Sequence, residues 1–180
     1  FIGSNEYDQA YFVQTDPDGN VYVYGQTESP VTISPGCYSN ANAGQFIKKF
    51  TPNLSAELWS TAIGASTGHV EISPTAFLVS DCYDIYLAGW GGSTNHSSQA
   101  TYSTTAGFPI TPDAFQPTTG GNNFYIAVLE PNAAALQYGT YFGGSNSSFN
   151  HVDGGTSRFD KSGRIYHAVC GACGGPDFGF

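Results

Sequence analysis

The chain has 180 residues, enough for one globular core, and it carries 14 Asp and Glu against 5 Lys and Arg, a net charge of −9. A protein that binds nucleic acid needs a basic surface to displace counterions, so this composition excludes that class of partner. Anionic membrane surfaces are disfavoured for the same reason, and no apolar run is long enough for membrane insertion. Abundant Gly, Ser, Thr, Asn and Tyr, with charged residues at only 11%, are typical of an extracellular β-rich protein.

The first element is a predicted β-hairpin within Ala10–Thr27. Two strands, Tyr11–Thr15 and Asn20–Gly25, are joined by a tight turn at Asp16–Gly19, where Pro presets φ and Gly accepts a positive φ. The run Val21–Tyr24 consists of β-forming residues without a polar face. We therefore expect the second strand to be buried on both sides.

This hairpin recurs twice along the chain, in Ala76–Gly89 and in Ser157–Val169. Tyr22, Tyr86 and Tyr166 occupy equivalent places, at intervals of 64 and then 80 residues. An internal period of this length predicts a repeat architecture.

The second half of each unit also recurs. After a loop at Glu28–Gly44, a third strand is predicted at Gln45–Phe50 and a fourth at Glu57–Ile63, and these match later residues at a spacing of 79. The matched residues are Phe46, Phe50, Pro52, Asn53, Leu58, Trp59 and Thr61 with Tyr125, Leu129, Pro131, Asn132, Gln137, Tyr138 and Thr140. The second unit is longer because of Gly91–Phe108, which we expect to be a surface excursion.

Four strands per unit, all joined by turns, predict an all-β fold made of four-stranded antiparallel blades of a β-propeller. The units are approximately 5–64, 65–144 and an incomplete 145–180, so the chain would be a 1–180 segment of one propeller domain. A propeller closes with about four to eight blades, which about two and a half repeats do not supply. We interpret the remaining repeats as sequence outside this chain, in preference to several copies completing one ring.

Three segments carry a family resemblance. The runs 16–27 (DPDGNVYVYGQT), 107–116 (GFPITPDAFQ) and 138–145 (YGTYFGGS) resemble the bacterial seven-bladed β-propeller repeat family, often called SBBP repeats. The segments 85–92 and 165–175 look more specifically like large Bacteroidetes surface proteins that carry a gliding-motility-associated C-terminal sorting domain. The resemblance implies export, through the type IX secretion route, to the cell surface or the extracellular matrix. It implies no catalytic residues.

The cysteines are the first candidates for chemistry. Cys170 and Cys173 have the spacing of a redox or half-zinc motif, but they follow a strand, and a zinc site needs two more ligands. We expect a local Cys170–Cys173 disulfide, with pairing to sequence outside the chain, a metal site and free thiols as alternatives. Cys82 is predicted at a hairpin tip about 20 Å away, whereas a disulfide needs Cα atoms within about 7 Å. Cys170 and Cys173 are predicted at the exit of a second strand, on the rim of the Gly91 loop, and Cys37 is expected on the same rim.

Cofactor signals are also missing from the sequence. No phosphate or dinucleotide fingerprint is present, and no cofactor is expected. Asp16 and Asp18 fit a hairpin turn better than a calcium loop, since Gly19 precedes Asn20 and no distal Glu follows. His69, His96 and His151 stand in loop-like or polar contexts without an obvious partner, so we interpret them as exposed residues and not as catalytic bases.

Three aromatic residues lie in or beside the long loop of the second unit: Trp90, Tyr102 and Phe108. Exposed aromatic rings among Ser, Thr and Asn could stack on sugar rings, and the alternative is that they anchor the loop. The sequence therefore favours a non-enzymatic extracellular or cell-surface scaffold or adhesin that binds through rim loops. Its expected partners are the remaining repeats and surface glycans or other cell-surface proteins. A polysaccharide-active propeller enzyme and a structural subunit of a surface fibre remain as alternatives.

Overall fold

The computed structural model of the chain describes residues 2–144 and 157–168. Over these residues the secondary structure consists of ten strands and two single-turn 3-10 segments, with no α-helix and so no helix able to cross a membrane. The strands are β1 (Asp8–Thr15), β2 (Val21–Thr27), β3 (Gln45–Phe50), β4 (Glu57–Ile63), β5 (Ser73–Val79), β6 (Ile85–Trp90), β7 (Phe124–Leu129), β8 (Leu136–Phe142), β9 (Ser157–Phe159) and β10 (Ile165–His167).

The strands form two antiparallel four-stranded sheets and one separate hairpin. The first sheet has the order β1-β2-β3-β4, the second has the order β5-β6-β7-β8, and β9 pairs with β10 in what we call the third hairpin. The predicted all-β fold with four antiparallel strands per unit is thus confirmed, and β3 and β4 have the predicted bounds. β2 is buried on both faces, as its uninterrupted β-forming sequence predicted.

The two sheets repeat each other in detail. The β1–β2 ladder shifts register between Ala10 and Phe12, and the β5–β6 ladder shifts between Pro74 and Ala76, 64 residues later. The β3–β4 and β7–β8 ladders also carry equivalent register shifts. A β-bulge inserts one extra residue and increases the local twist, so equivalent bulges give the two sheets the same curvature.

The turns of the three repeated hairpins, β1–β2, β5–β6 and β9–β10, share one hydrogen-bond pattern. In the first, Asp16 Oδ1 accepts from the N–H groups of Asp18 and Asn20, at 3.0 and 2.9 Å. Ser80 Oγ accepts from Cys82 and Asp84 in the second turn, and Asp160 Oδ1 accepts from Ser162 and Arg164 in the third. The fourth residue of each turn has a positive φ: 80° at Gly19, 69° at Tyr83 and 78° at Gly163.

The hydrophobic core lies between the facing surfaces of the two sheets. Tyr24 of β2 meets Phe77 of β5 with ring centroids 5.3 Å apart, and Tyr22 packs edge-to-face on Trp59. Beside them, Lys49 Nζ lies 2.9 Å from Asp16 Oδ2 in a buried ion pair. The core residues of both sheets belong to one continuous cluster.

The third hairpin packs on the opposite face of the second sheet. Tyr86 contacts Phe159 and Phe124 contacts His167, with ring centroids 5.6 and 5.1 Å apart. The first strands approach each other in succession, β1 with β5 and β5 with β9. The sheets therefore stack in one direction along the chain.

The three repeat tyrosines share their place in the strands but not their burial. Tyr22 is fully buried, Tyr86 is half-buried and Tyr166 is 56% exposed. The gradient arises because a whole sheet covers Tyr22, whereas among the described residues only the third hairpin packs on the Tyr86 face. The equivalence predicted from spacing therefore holds for strand position alone.

Candidate functional site

The two ends of the sheets are built differently. The tight-turn rim consists of residues 16–20, 51–56, 80–84, 130–135 and 160–164, each closing a pair of adjacent strands. The long-loop rim lies at the other end, where β2 and β6 finish, and consists of residues 4–7, 27–30, 64–72 and 91–106. Long loops on a rigid sheet scaffold are where binding residues concentrate, so the long-loop rim is the candidate binding surface.

A buried carboxylate holds the long-loop rim together. Glu71 is fully buried, and its Oε1 accepts hydrogen bonds from the backbone N–H and the hydroxyl of Thr67, both at 2.9 Å. Burial raises the pKa of the Glu71 carboxyl above its ordinary value, although the Thr67 hydrogen bonds oppose the shift. A Cβ on Gly64 would overlap this carboxylate, so a larger residue there would displace the Glu71 side chain.

The long loop of the second unit is anchored to the same residue. Ser103 is buried, and its hydroxyl donates to the Glu71 carbonyl at 2.9 Å while accepting from the Asn95 amide at 2.8 Å. The backbone N–H of Thr104 donates to the same carbonyl at 2.8 Å. The loop Gly91–Phe108, predicted as a surface excursion, is therefore fixed to the fold by Ser103 and Thr104. Tyr102, next to Ser103, is held in a defined position.

Tyr102 and His69 form an exposed aromatic platform. The Tyr102 side chain is 57% exposed, and its ring stacks on the His69 imidazole with centroids 4.1 Å apart and planes at 20°. His69 Nδ1 lies 2.9 Å from Glu28 Oε2, and Glu28 Oε1 accepts from the Val70 N–H at 2.8 Å. The imidazole is thus fixed by Glu28, and the phenol ring is fixed by the imidazole and the Ser103 anchor.

This platform borders a cleft of about 410 Å³, which we call the Tyr102 cleft. It is lined by Glu6, Tyr7, Glu28, His69, Ser98, Gln99, Thr101 and Tyr102. One exposed aromatic face surrounded by carboxylate, amide and hydroxyl groups suits a ligand with apolar C–H faces and many hydroxyls, which describes a sugar ring. Within residues 2–144 and 157–168, no group of three or more His, Cys, Asp or Glu side chains could hold a metal ion.

Trp90 lies in a different cavity. It ends β6 and lines a space of about 580 Å³ along the first strands of the repeats, shared with Tyr11, Thr75 and Arg158. The structure therefore does not bring Trp90 and Tyr102 together in one cleft.

Phe108 belongs to the core. Its side chain is 3% exposed, and its ring contacts Tyr125 with centroids 4.6 Å apart. Its carbonyl accepts a hydrogen bond from the Tyr141 hydroxyl at 2.9 Å. Phe108 therefore anchors the loop and leaves no exposed ring face for a sugar, which is the alternative role that the sequence left open.

The cysteines divide between described and undescribed segments. Cys170 and Cys173 lie outside the described residues. Cys82 is an exposed free thiol in the β5–β6 turn, at the predicted hairpin tip. The prediction that Cys37 lies on the rim of the Gly91 loop is wrong. Its Sγ lies 3.5 Å from the carbonyl oxygen of Asn132, in the β7–β8 turn of the tight-turn rim. The loop runs back along β4 with backbone bonds such as Ser34 N–H to Ser60 O, and this carries Cys37 away from the long-loop rim.

Sequence reasoning missed most of the residues around Tyr102. Glu28, His69 and Tyr102 are separated by 41 and 33 positions, in three connecting segments that share no motif. They meet because β2 and β6 end, and β5 begins, at the same edge of the stacked sheets. The one local signal was an exposed aromatic residue in a Ser/Thr/Asn-rich loop, which identified Tyr102 alone.

Comparisons of the chain with protein-family models, with curated proteins and with solved structures give no match.

Proposed function

We propose that this chain is part of a propeller-type, non-enzymatic scaffold or adhesin of the cell surface or extracellular space, and that it binds glycans at its long-loop rim. The observation that carries the binding role is the exposed Tyr102 ring, which is held by His69 and the Ser103 anchor at the edge of a polar cleft. Binding residues that are already fixed in the free protein lower the entropy cost of association. The proposed surface location is supported by the Ser/Thr/Asn-rich composition with few charged residues and by the resemblance to exported repeat proteins.

The propeller arrangement is supported by the way equivalent faces are used. Phe77 of β5 is 5% exposed and packs on the first sheet, whereas its counterpart Val13 of β1, 64 residues earlier, is 61% exposed. The open face of the first sheet is therefore the counterpart of a face that the second sheet buries. Successive blades around an axis meet in this way, each presenting one face to the preceding blade and the opposite face to the next.

A glycan array probed with the 180-residue chain tests the binding role. We expect binding of at least one saccharide class, loss of that binding in Tyr102→Ala, and no release of cleaved or modified sugar. Phe115→Ala is the matched control, because Phe115 is 72% exposed and lies outside the Tyr102 cleft.

Two results would contradict this proposal. The first is an array on which the folded chain binds no saccharide, or on which both variants lose binding equally. The second is turnover of a bound saccharide, which would favour a polysaccharide-active enzyme instead.

A further inference from the structure

We propose that the Tyr102 cleft selects saccharides that carry free, positively charged amino groups over N-acetylated or acidic saccharides. This inference rests on the proposed glycan-binding function and adds the chemical class of the ligand. It follows from the charges around the cleft, from the aromatic platform and from the charge balance of the whole chain.

The residues that line the cleft carry negative charge. Glu6 and Glu28 contribute carboxylates, and none of the eight lining residues is Lys or Arg. Both oxygens of Glu28 are engaged, one by His69 and one by the Val70 N–H. Glu6 is exposed at the edge of the cleft, where its carboxylate can face a bound ligand.

His69 does not reverse this balance. When the imidazole is protonated, its charge is matched by the Glu28 carboxylate 2.9 Å away, so the cleft keeps the negative charge of Glu6. When the imidazole is neutral, both carboxylates remain uncompensated by the lining residues. At either protonation state a ligand ammonium is attracted, and a uronate or sulfate group is repelled.

The aromatic platform favours the same kind of ligand. The face of a tyrosine ring carries negative electrostatic potential and attracts a cation within about 6 Å of its centroid. Tyr102 and the exposed Glu6 carboxylate both line the cleft, and the Ser103 anchor holds the segment of Tyr102 in place. An ammonium group on a sugar in the cleft is attracted by both groups, whereas an acetamido group offers no charge to either.

The charge of the whole chain acts in the same direction at longer range. With a net charge of −9, the protein repels polyanionic glycans before any contact is made. This long-range part is screened within a Debye length of about 8 Å at physiological ionic strength. The preference for amino sugars should therefore be largest at low salt.

Isothermal titration calorimetry of the 180-residue chain with two matched probes tests the inference. The probes are the β-1,4-linked hexamer of glucosamine and the same hexamer with every amine acetylated, at mildly acidic pH and low salt. We expect the free-amine hexamer to bind about tenfold more tightly, and this advantage to shrink several-fold in high salt. A hexamer of galacturonate should bind more weakly than either.

Two charge-matched variants locate the effect. Glu6→Gln should weaken binding of the free-amine hexamer much more than binding of the acetylated hexamer, and so remove most of the preference. Glu130→Gln changes the net charge equally but lies in the β7–β8 turn of the tight-turn rim, so it should retain the preference.

The outcomes separate this inference from the proposed function. If the acetylated or acidic hexamer binds as tightly as the free-amine hexamer, the amino-sugar inference is wrong and the glycan-binding role survives. A preference that Glu130→Gln removes as fully as Glu6→Gln overturns the assignment to the cleft. If no hexamer binds and the array is also negative, the proposed function itself fails.

Discussion

The tight-turn rim and the long-loop rim of the same sheets differ in how faithfully they repeat. On the tight-turn rim, three hairpin turns keep the same two side-chain-to-backbone hydrogen bonds although their first residue is Asp, Ser and Asp. On the long-loop rim, the counterpart of Glu28 in the next unit is Gly92, and the counterpart of Tyr7 is the buried Glu71. Turn geometry is common to every unit, whereas the cleft is built once among the described residues, where the units differ.

The first turn of the tight-turn rim should give the largest effect on stability. Asp16→Ala removes the two turn hydrogen bonds and leaves Lys49 buried without its carboxylate partner, so we expect a loss of about 3 kcal/mol in the free energy of unfolding. Asp160→Ala removes the same pair of turn bonds in an exposed turn and should cost much less. Urea unfolding of both variants measures the difference. Equal losses would show that the buried ion pair adds nothing to the turn.

The third hairpin should loosen at acid pH. Burial lowers the pKa of His167 from 6.5 to about 4, since the folded hairpin favours the neutral imidazole against Phe124 and Phe142. A depressed histidine pKa contributes stability that is complete above about pH 6.5 and is lost as the pH falls toward about 4. This corresponds to about 2 kcal/mol after allowance for partial exposure.

Amide hydrogen exchange of β9 and β10 at pH 7 and pH 4.5 would measure this loss, after correction for the intrinsic pH dependence of exchange. His167→Leu should abolish the pH dependence within this window. A pH dependence that persists in the variant would assign the effect to other groups.

On the long-loop rim, removing the Ser103 anchor should weaken both the fold and the cleft. Ser103→Ala deletes the donor to the Glu71 carbonyl and the acceptor of the Asn95 amide, at a cost of about 1–2 kcal/mol. Because Tyr102 directly precedes Ser103, the change should also loosen the Tyr102 ring. We therefore expect weaker glycan binding by the folded variant, in addition to the loss of stability. His96→Ala, an exposed change in the same loop but outside the Tyr102 cleft, is the control for calorimetric titration and urea unfolding. Unchanged affinity in Ser103→Ala would show that the platform does not depend on the anchor.

The smallest expected effect on stability comes from substitutions at the fourth residue of the tight turns. Gly19→Ala places a side chain at a φ of 80° and should cost about 1 kcal/mol. Tyr83→Gly relieves a φ of 69° but loses the hydrogen bond from the Tyr83 hydroxyl to Asp18. In Tyr83→Gly, the gain from the relieved backbone strain and the loss of the hydrogen bond should nearly cancel, so the urea midpoint of this variant should stay unchanged. A clear destabilisation by Tyr83→Gly would show that its contacts between the two sheets outweigh the backbone strain.

The strands were predictable because their signals are local. Val, Ile, Tyr and Phe runs bounded by Asp, Pro, Asn and Gly mark strands and turns without reference to distant residues, and the bounds of β3 and β4 followed directly. β1 and β2 are longer than predicted because backbone pairing continues through polar residues, as in the pairing of Asp8 with Thr27. The hydrogen bonds of the ladder use main-chain groups, so side-chain polarity does not end a strand.

The sequence by itself therefore determined the repeat, the all-β units and the turn chemistry. The tertiary structure decided that Phe108 is buried, that Cys37 lies beside Asn132, and that Glu28, His69 and Tyr102 meet at one cleft. These contacts join segments tens of residues apart, and they form only when the connecting loops fold back over stacked sheets. The pattern of neighbouring residues that specifies a strand or a turn contains no record of such pairings.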